Sequence, residues 1–437
     1  MQIKQIALAT LAVVAAAQAQ AVTRVSGASA SSIAYVEALA TNNSCPSNNV
    51  SIFKRGTSST SLGNNYTVKC NSGNFAGTTE NEVQFDVTGG SLNAILFSAD
   101  GASEALAANG NFLPSTTSCG TAVTIASGPL AFASGKMYNC SSSAALTSGK
   151  SVGGFMDVEP AVFQAQNVIA GDYSASVSAA SFSQVFGVAA SKDLYEALQT
   201  AQGLTVGSTT PANQPSISRA QIVSMMNSND FNDAKNKGPK FLVPSTAQTN
   251  LTYCRRPVTS GTQAAAEVYF LQNPTATGAL GGSGSAHEPA LVDTVTPANN
   301  TLVVNNGTGN TLTVKVNSGS GDVKGCLNAA GFAFGMLSAE NNPIGGTDTY
   351  RFVKLNGQEF SEGVAGASQT AAAIAGKYDY VFESALFNPT GSAVLDLINS
   401  KVVTGAGTPG VFLNINSATP ESQFTRSGNS LNVYSSN

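Results

Sequence analysis

Arg256, Ser260, Gly261 and Thr262 stand close together in "CRRPVTSGTQAAAEVYFL" (Cys254 to Leu271), in a chain where charged residues are only 11%. A guanidinium is a permanently charged, two-pronged donor suited to phosphate, sulfate or carboxylate. Ser260 and Thr262 add hydroxyl donors, and Gly261 lets a ligand approach the main chain. The run "QAAAEVYFL" reads as a helix, whose first turn leaves unpaired N–H groups at the positive end of the macrodipole. One turn therefore gathers most of the hydrogen bonds that a tetrahedral oxyanion needs. The plain structural alternative is that Ser260 is an N-cap and that the arginines pair with surface carboxylates.

Strands and helices must bring this turn to a ligand. "LTYCRR" reads as a strand delivering Arg255 and Arg256 to its carboxyl end. "SSIAYVEALAT" (Ser31 to Thr41) has apolar residues at helical spacing behind a serine start, the pattern of a capped helix. "LNAILFSADGASEALAA" (Leu92 to Ala108) reads as strand, turn and helix. "SVGGFMDVEPAVF" (Ser151 to Phe163) reads as a strand ending at the carboxylates Asp157 and Glu159, before Pro160. "VFGVAAS" (Val185 to Ser191) is strand-like, and "SISRAQIVSMMNS" carries Ile222, Val223 and Met226 on one helical face. Repeated strand-turn-helix units predict α/β architecture with mostly parallel sheets. Two polar tracts, 42–90 and 275–321, read as decorations on that scaffold, each containing short β-like runs.

Composition narrows the function classes. "MQIKQIALATLAVVAAAQAQA" has one lysine, a short apolar core and small residues at Ala17, Ala19 and Ala21, the form of a cleaved secretory signal peptide over residues 1–21. No cysteine at the cleavage site suggests a lipid anchor, and no later stretch approaches the roughly 20 apolar residues of a membrane helix. The expected place of the mature chain is the bacterial periplasm or the medium. Its charge, once Lys4 is removed, is 20 minus 25, or −5, so there is no basic field to attract nucleic acid. Six cysteines in an exported chain favour disulfides over metal ligation. Sequential pairing is expected: Cys45 with Cys70, Cys119 with Cys140, and Cys254 with Cys326. His287 is the single histidine and sits in the Gly-Ser-rich tract, which argues against a Ser-His-Asp triad or a histidine metal cluster. Tyr378, Tyr380 and Phe382 alternate as on a strand and read as core packing.

The element Arg256, Ser260, Gly261 and Thr262 resembles the Arg-x-x-x-Ser-Gly-Thr motif of periplasmic phosphate-binding proteins, which serve phosphate uptake transporters. "RVSGASASSIAYVEALA" is similar to that family's opening strand, turn and first helix, which implies Ser31 and Ser32 at the anion. "FSADGASEAL" resembles its second anion-binding turn, with Asp100 where a small residue is expected, so no residue is carried over there. "GGFMDVEPAVF" resembles the strand ending in a carboxylate, which implies that Asp157 or Glu159 accepts the proton of a monohydrogen anion. "AAGFAFGMLSAEN" and "AIAGKYDYVFESALF" resemble later strands of the family. Pro257, Val258 and Thr259 stand where the family commonly has an acidic residue, which relaxes the expected discrimination between phosphate and sulfate.

The resemblance implies a two-lobed Venus-flytrap protein that clamps a small oxyanion, phosphate first, for an inner-membrane ABC permease. It implies neither enzyme activity nor a cofactor. One lobe would span 22–188 and 378–437 and the other 189–377, with crossovers near Val185 to Ser191 and Lys377 to Phe382. A secreted structural or adhesive protein that keeps this scaffold without transport is the competing expectation.

Overall fold

The computed structural model describes residues 21–58, 61–125, 130–131, 135–226, 237–271, 300–305, 309–329, 331–344, 346–359, 373, 377–402 and 412–414. The expected signal peptide, apart from Ala21, and His287 lie outside them. The described chain is mixed α/β, with two large sheets, two strand pairs and eight α-helices. No helix among the described residues is long and apolar enough to cross a membrane.

Strands β1 (Ala21–Ser26), β2 (Val50–Arg55), β3 (Asn65–Cys70), β4 (Glu80–Asp86) and β6 (Lys136–Cys140) form one sheet in the order β1-β4-β3-β2-β6. The polar tract 42–90 thus builds the middle of a sheet instead of decorating one. The polar Ser51, Thr67 and Gln84 are buried on one face, and Val50, Ile52, Tyr66, Val68, Val83 and Phe85 around them are buried on the other. Helix α1 (Ser32–Ala40) covers them, with Tyr35 stacked on Phe155 at 4.8 Å, and α8 (Ala393–Lys401) adds Val394, Leu395 and Ile398 to the same core. The short pair β5 (Gly110–Phe112) and β7 (Thr147–Gly149) lies outside both large sheets.

The larger sheet runs β12 (Thr301–Asn305), β13 (Thr311–Val316), β11 (Asn250–Arg255), β14 (Ala333–Ser338), β9 (Val177–Ala190), β17 (Val381–Phe387), β8 (Gly154–Met156). Strands β15 (Arg351–Phe352) and β18 (Phe412–Asn414) also pair with β9, and β10 (Ser216–Ile217) pairs separately with β16 (Lys354–Leu355). Helix α2 (Asn93–Leu96) and helices α3 (Pro160–Ala165), α4 (Lys192–Ala201), α5 (Arg219–Met226), α6 (Gly261–Leu271) and α7 (Ser320–Asn328) complete the described elements.

β9 links two cores. Its first part pairs with β17 from Phe387↔Val177 to Val381↔Val185, and its last part pairs with β14 from Ser338↔Phe186 to Phe334↔Ala190. Ala180 and Phe182 belong to the core under α1, whereas Val185 to Ala190 largely belong to the other. The two stretches expected to cross between halves lie side by side here. Tyr378, Tyr380 and Phe382 are buried as expected.

Sheet polarity corrects the sequence reading. Only β1/β4, β2/β6, β11/β13 and β11/β14 are parallel within the two large sheets, and the remaining ladders are antiparallel. Short links from β2 to β3 and from β3 to β4 permit only antiparallel neighbours, since a parallel return needs a long crossover. A second correction concerns residues 92–108: Asn93–Leu96 is a short helix, and Asp100–Ser103 is a single 3-10 turn. Four-residue apolar runs read equally as strand or buried helix.

All three expected disulfides are present, with Cα separations of 5.5, 4.2 and 6.0 Å for Cys45–Cys70, Cys119–Cys140 and Cys254–Cys326. The last joins β11 to α7, two elements that meet at the site below.

Candidate oxyanion site

β11 ends where the sequence places it, and its Tyr253 stacks on Phe334 of β14 at 4.8 Å. α6 is buried along its whole length, as an Ala-rich helix between layers must be. Two of its polar side chains, Gln263 and Glu267, serve the strand end. Gln263 Oε1 accepts from the Arg256 amide at 3.2 Å, and Glu267 Oε1 stands 3.6 Å from Arg255 Nη2. Arg255 is therefore an internal partner of Glu267, not of a surface carboxylate as the plain alternative had it. Its neighbour Arg256 reaches instead to Ser29 and to Ser318 and Ser320 at the start of α7.

The Gly-Gly-Ser turn after β4 packs on that start. Leu92 N donates to Thr259 O at 2.9 Å, and Thr259 Oγ1 donates to Gly89 O at 2.8 Å. Gly90 has φ +102, and a Cβ there would fall 2.8 Å from Ser260 Cα and 3.3 Å from Arg256 Nη2. A Cβ on Gly261 would fall 2.3 Å from Ser91 Oγ and 2.7 Å from Asp157 Cβ. Glycine at both positions lets two turns and the Asp157 segment close on one point. Ser91 Oγ accepts from Asp157 N at 3.0 Å, and Thr262 Oγ1 donates to Asp157 Oδ2 at 3.4 Å.

Arg256 is 3% exposed and is held at its outer end. Nη1 donates to Ser29 Oγ and Ser320 Oγ, both at 3.3 Å, and Nη2 donates to Ser318 O at 3.0 Å. Its Nε has no partner, nor do Ser260 Oγ and Asp157 Oδ1, and all three are buried. Buried polar atoms are paired in the great majority of cases, so three orphans at one turn call for an explanation. Ser31 Oγ also completes no hydrogen bond, although it lies near enough to Tyr35 to oppose slightly the burial that raises that phenol.

Burial pushes Asp157 up to about 6, partly offset by the Ser91 hydroxyl and the Arg256 charge. Burial likewise lowers Arg256 to about 10, opposed by Asp157 and then Asp322. Near neutral pH the site thus offers cationic and hydroxyl donors beside one ionised acceptor. Glu340 is a further carboxyl, half-buried, that desolvation and the Asp157 charge push up to about 8.

The structure brings together Arg256, Ser260, Gly261, Thr262 and Asp157. It leaves Ser32 out, because that hydroxyl donates to Ser29 O at 2.9 Å. Glu159 is buried as the residue preceding α3, whose first residue is Pro160. The turn expected within 97–106 is replaced by Gly89 to Ser91, and Asp100 is exposed. Sequence reasoning also missed Ser29, Ser318 and Ser320. The last two close the tract read as low-complexity, and Asp322, accepting from Gly319 N at 2.9 Å, marked a helix start there.

Comparison of the chain with known protein families, curated proteins and solved structures finds no match.

Proposed function

We propose that this chain is an exported, two-lobed solute-binding protein of Venus-flytrap form that clamps a small oxyanion, inorganic phosphate in the first place, for ABC-type uptake. The observation that carries the reading is the set of orphans at one turn: Arg256 Nε and Ser260 Oγ as donors, Asp157 Oδ1 as acceptor. An unprotonated tetrahedral anion satisfies only the donors, whereas a monohydrogen anion satisfies all three. The N–H groups opening α6 supply the remaining bonds. Asp157 would repel an anion that brings no proton, which favours phosphate over sulfate even without an acid between Arg256 and Ser260.

A strand shared by two cores, as β9 is, suits a two-lobed chain, although Leu92 to Leu96, Met156 and Val158 pack in the same core as α6. No cofactor and no bond-making step is needed. Thermal unfolding with phosphate, arsenate, sulfate and simple carboxylates tests the reading, since a ligand of the folded state raises the midpoint. Phosphate and arsenate are expected to raise it and sulfate not; no shift with any oxyanion rejects the proposal.

One observation favours the competing reading, a surface structural protein that keeps the scaffold. Both Nη atoms of Arg256 already meet protein oxygens, as an internal tie would. That reading keeps the tie and lacks the midpoint shift.

A further inference from the structure

Ser29 follows β1 on the side of the core under α1, whereas Arg256 follows β11 and Ser320 begins α7 on the other. The two hydroxyls are 3.5 Å apart, and Arg256 Nη1 lies 3.3 Å from each. Both serines are only half-buried, so the contact lies at the rim, outside the fully buried Ser260 and Asp157. The same rim carries a backbone clasp: Gly89 N donates to Ser318 O at 3.3 Å, next to the bond from Leu92 N to Thr259 O.

We propose that Ser29 and Ser320 are positioning residues that latch the two cores through Arg256, so that the guanidinium meeting the anion also holds the site shut. Nε faces the ligand and Nη1 reads closure. A planar guanidinium can do both at once because its donors are fixed in one fork, so anchoring Nη1 orients Nε. Lysine, a single point charge, could not divide the tasks.

The latch rests on the oxyanion reading for its ligand, but not for its geometry, and two measurements separate them. Stopped-flow binding of inorganic phosphate is compared for the parent, Ser29→Ala, Ser320→Ala and Ser29→Thr. Loss of a hydrogen bond to a charged group is expected to speed dissociation about tenfold in each alanine variant. Association should change little, and Ser29→Thr should restore the parent rate. Amide exchange without phosphate is followed at Gly89 and Leu92, with Val83 and Phe85 of β4 as internal controls. Ser29→Ala is expected to speed the first pair and not the second.

Unchanged phosphate dissociation in both alanine variants overturns the latch. Should the parent bind no phosphate, the oxyanion reading fails and exchange alone decides: faster Gly89 and Leu92 amides support the latch, and unchanged ones overturn it.

Discussion

Thr262 Oγ1 stands 3.4 Å from Asp157 Oδ2, so the first turn of α6 carries a hydroxyl donor against a carboxyl that burial has pushed up to about 6. Asp157 and Glu340, at about 8, both titrate well above their values of about 4 in an unfolded chain. Folding therefore favours their protonated forms. The stability this adds is full below about pH 4 and is lost as pH rises through 6 for Asp157 and through 8 for Glu340. The anion-free protein should lose a few kcal/mol from these two groups between acid and mildly alkaline pH. Glu340→Gln should flatten the upper part of the curve. Thermal unfolding across pH measures this, and equal slopes in parent and variant would contradict it.

Gly261 opens a helix, where alanine is ordinarily the better residue by about 1 kcal/mol. Here a Cβ would collide with Ser91 Oγ and Asp157 Cβ. Gly261→Ala is expected to destabilise by about 1–3 kcal/mol and to abolish anion binding. Denaturant unfolding and a phosphate titration check the two effects. A stabilised variant would show that the turns do not close as described.

Arg255 and Glu267 form a buried pair, so removing one partner leaves an uncompensated charge. Glu267→Gln should cost about 3–5 kcal/mol. It should leave phosphate affinity near that of the parent, because Arg255 and Glu267 are engaged with each other, with Arg256 O and with Gln263. An affinity loss as large as that of an Arg256 variant would place Arg255 in the site instead.

The contiguous stretch was legible as a strand end running into a helix start, with Arg256, Ser260, Gly261 and Thr262 close along the chain. Cysteine pairing was legible too, because the three pairs follow one another along the chain. Ser29, Ser91 and Ser320 were not. Each comes from a Ser- and Gly-rich stretch whose composition also suits a loop, and only the fold brings Ser29 and Ser320 to Arg256 and Ser91 to Asp157. "VSIFKR" and "NYTVKC" read as hairpin-like pieces and are β2 and β3, paired antiparallel, but their place in the middle of a sheet, beside β4, was hidden for a related reason. Their alternate positions are mostly polar, as at Ser51, Thr67 and Gln84, so a tract with few apolar residues still fills a core. Strand direction is a property of pairing, which no single stretch reveals.

The Cys254–Cys326 bridge closes the longest interval, a separation of 72, against 21 for Cys119–Cys140. Chain entropy puts their contributions at about 4 and about 3 kcal/mol. Replacing Cys254 and Cys326 by alanine should therefore lower stability more than replacing Cys119 and Cys140, as read by denaturant midpoints. The reverse order would mean that native-state packing, not loop closure, sets their value.

The most direct measurement is calorimetric titration of inorganic phosphate into the refolded, ligand-stripped protein and into Arg256→Ala. Micromolar or tighter binding to the parent, weakened by 10-fold to 100-fold or more in the variant, is the expected result. Equal heats in both proteins, or no binding to either, would contradict an oxyanion clamp at Arg256.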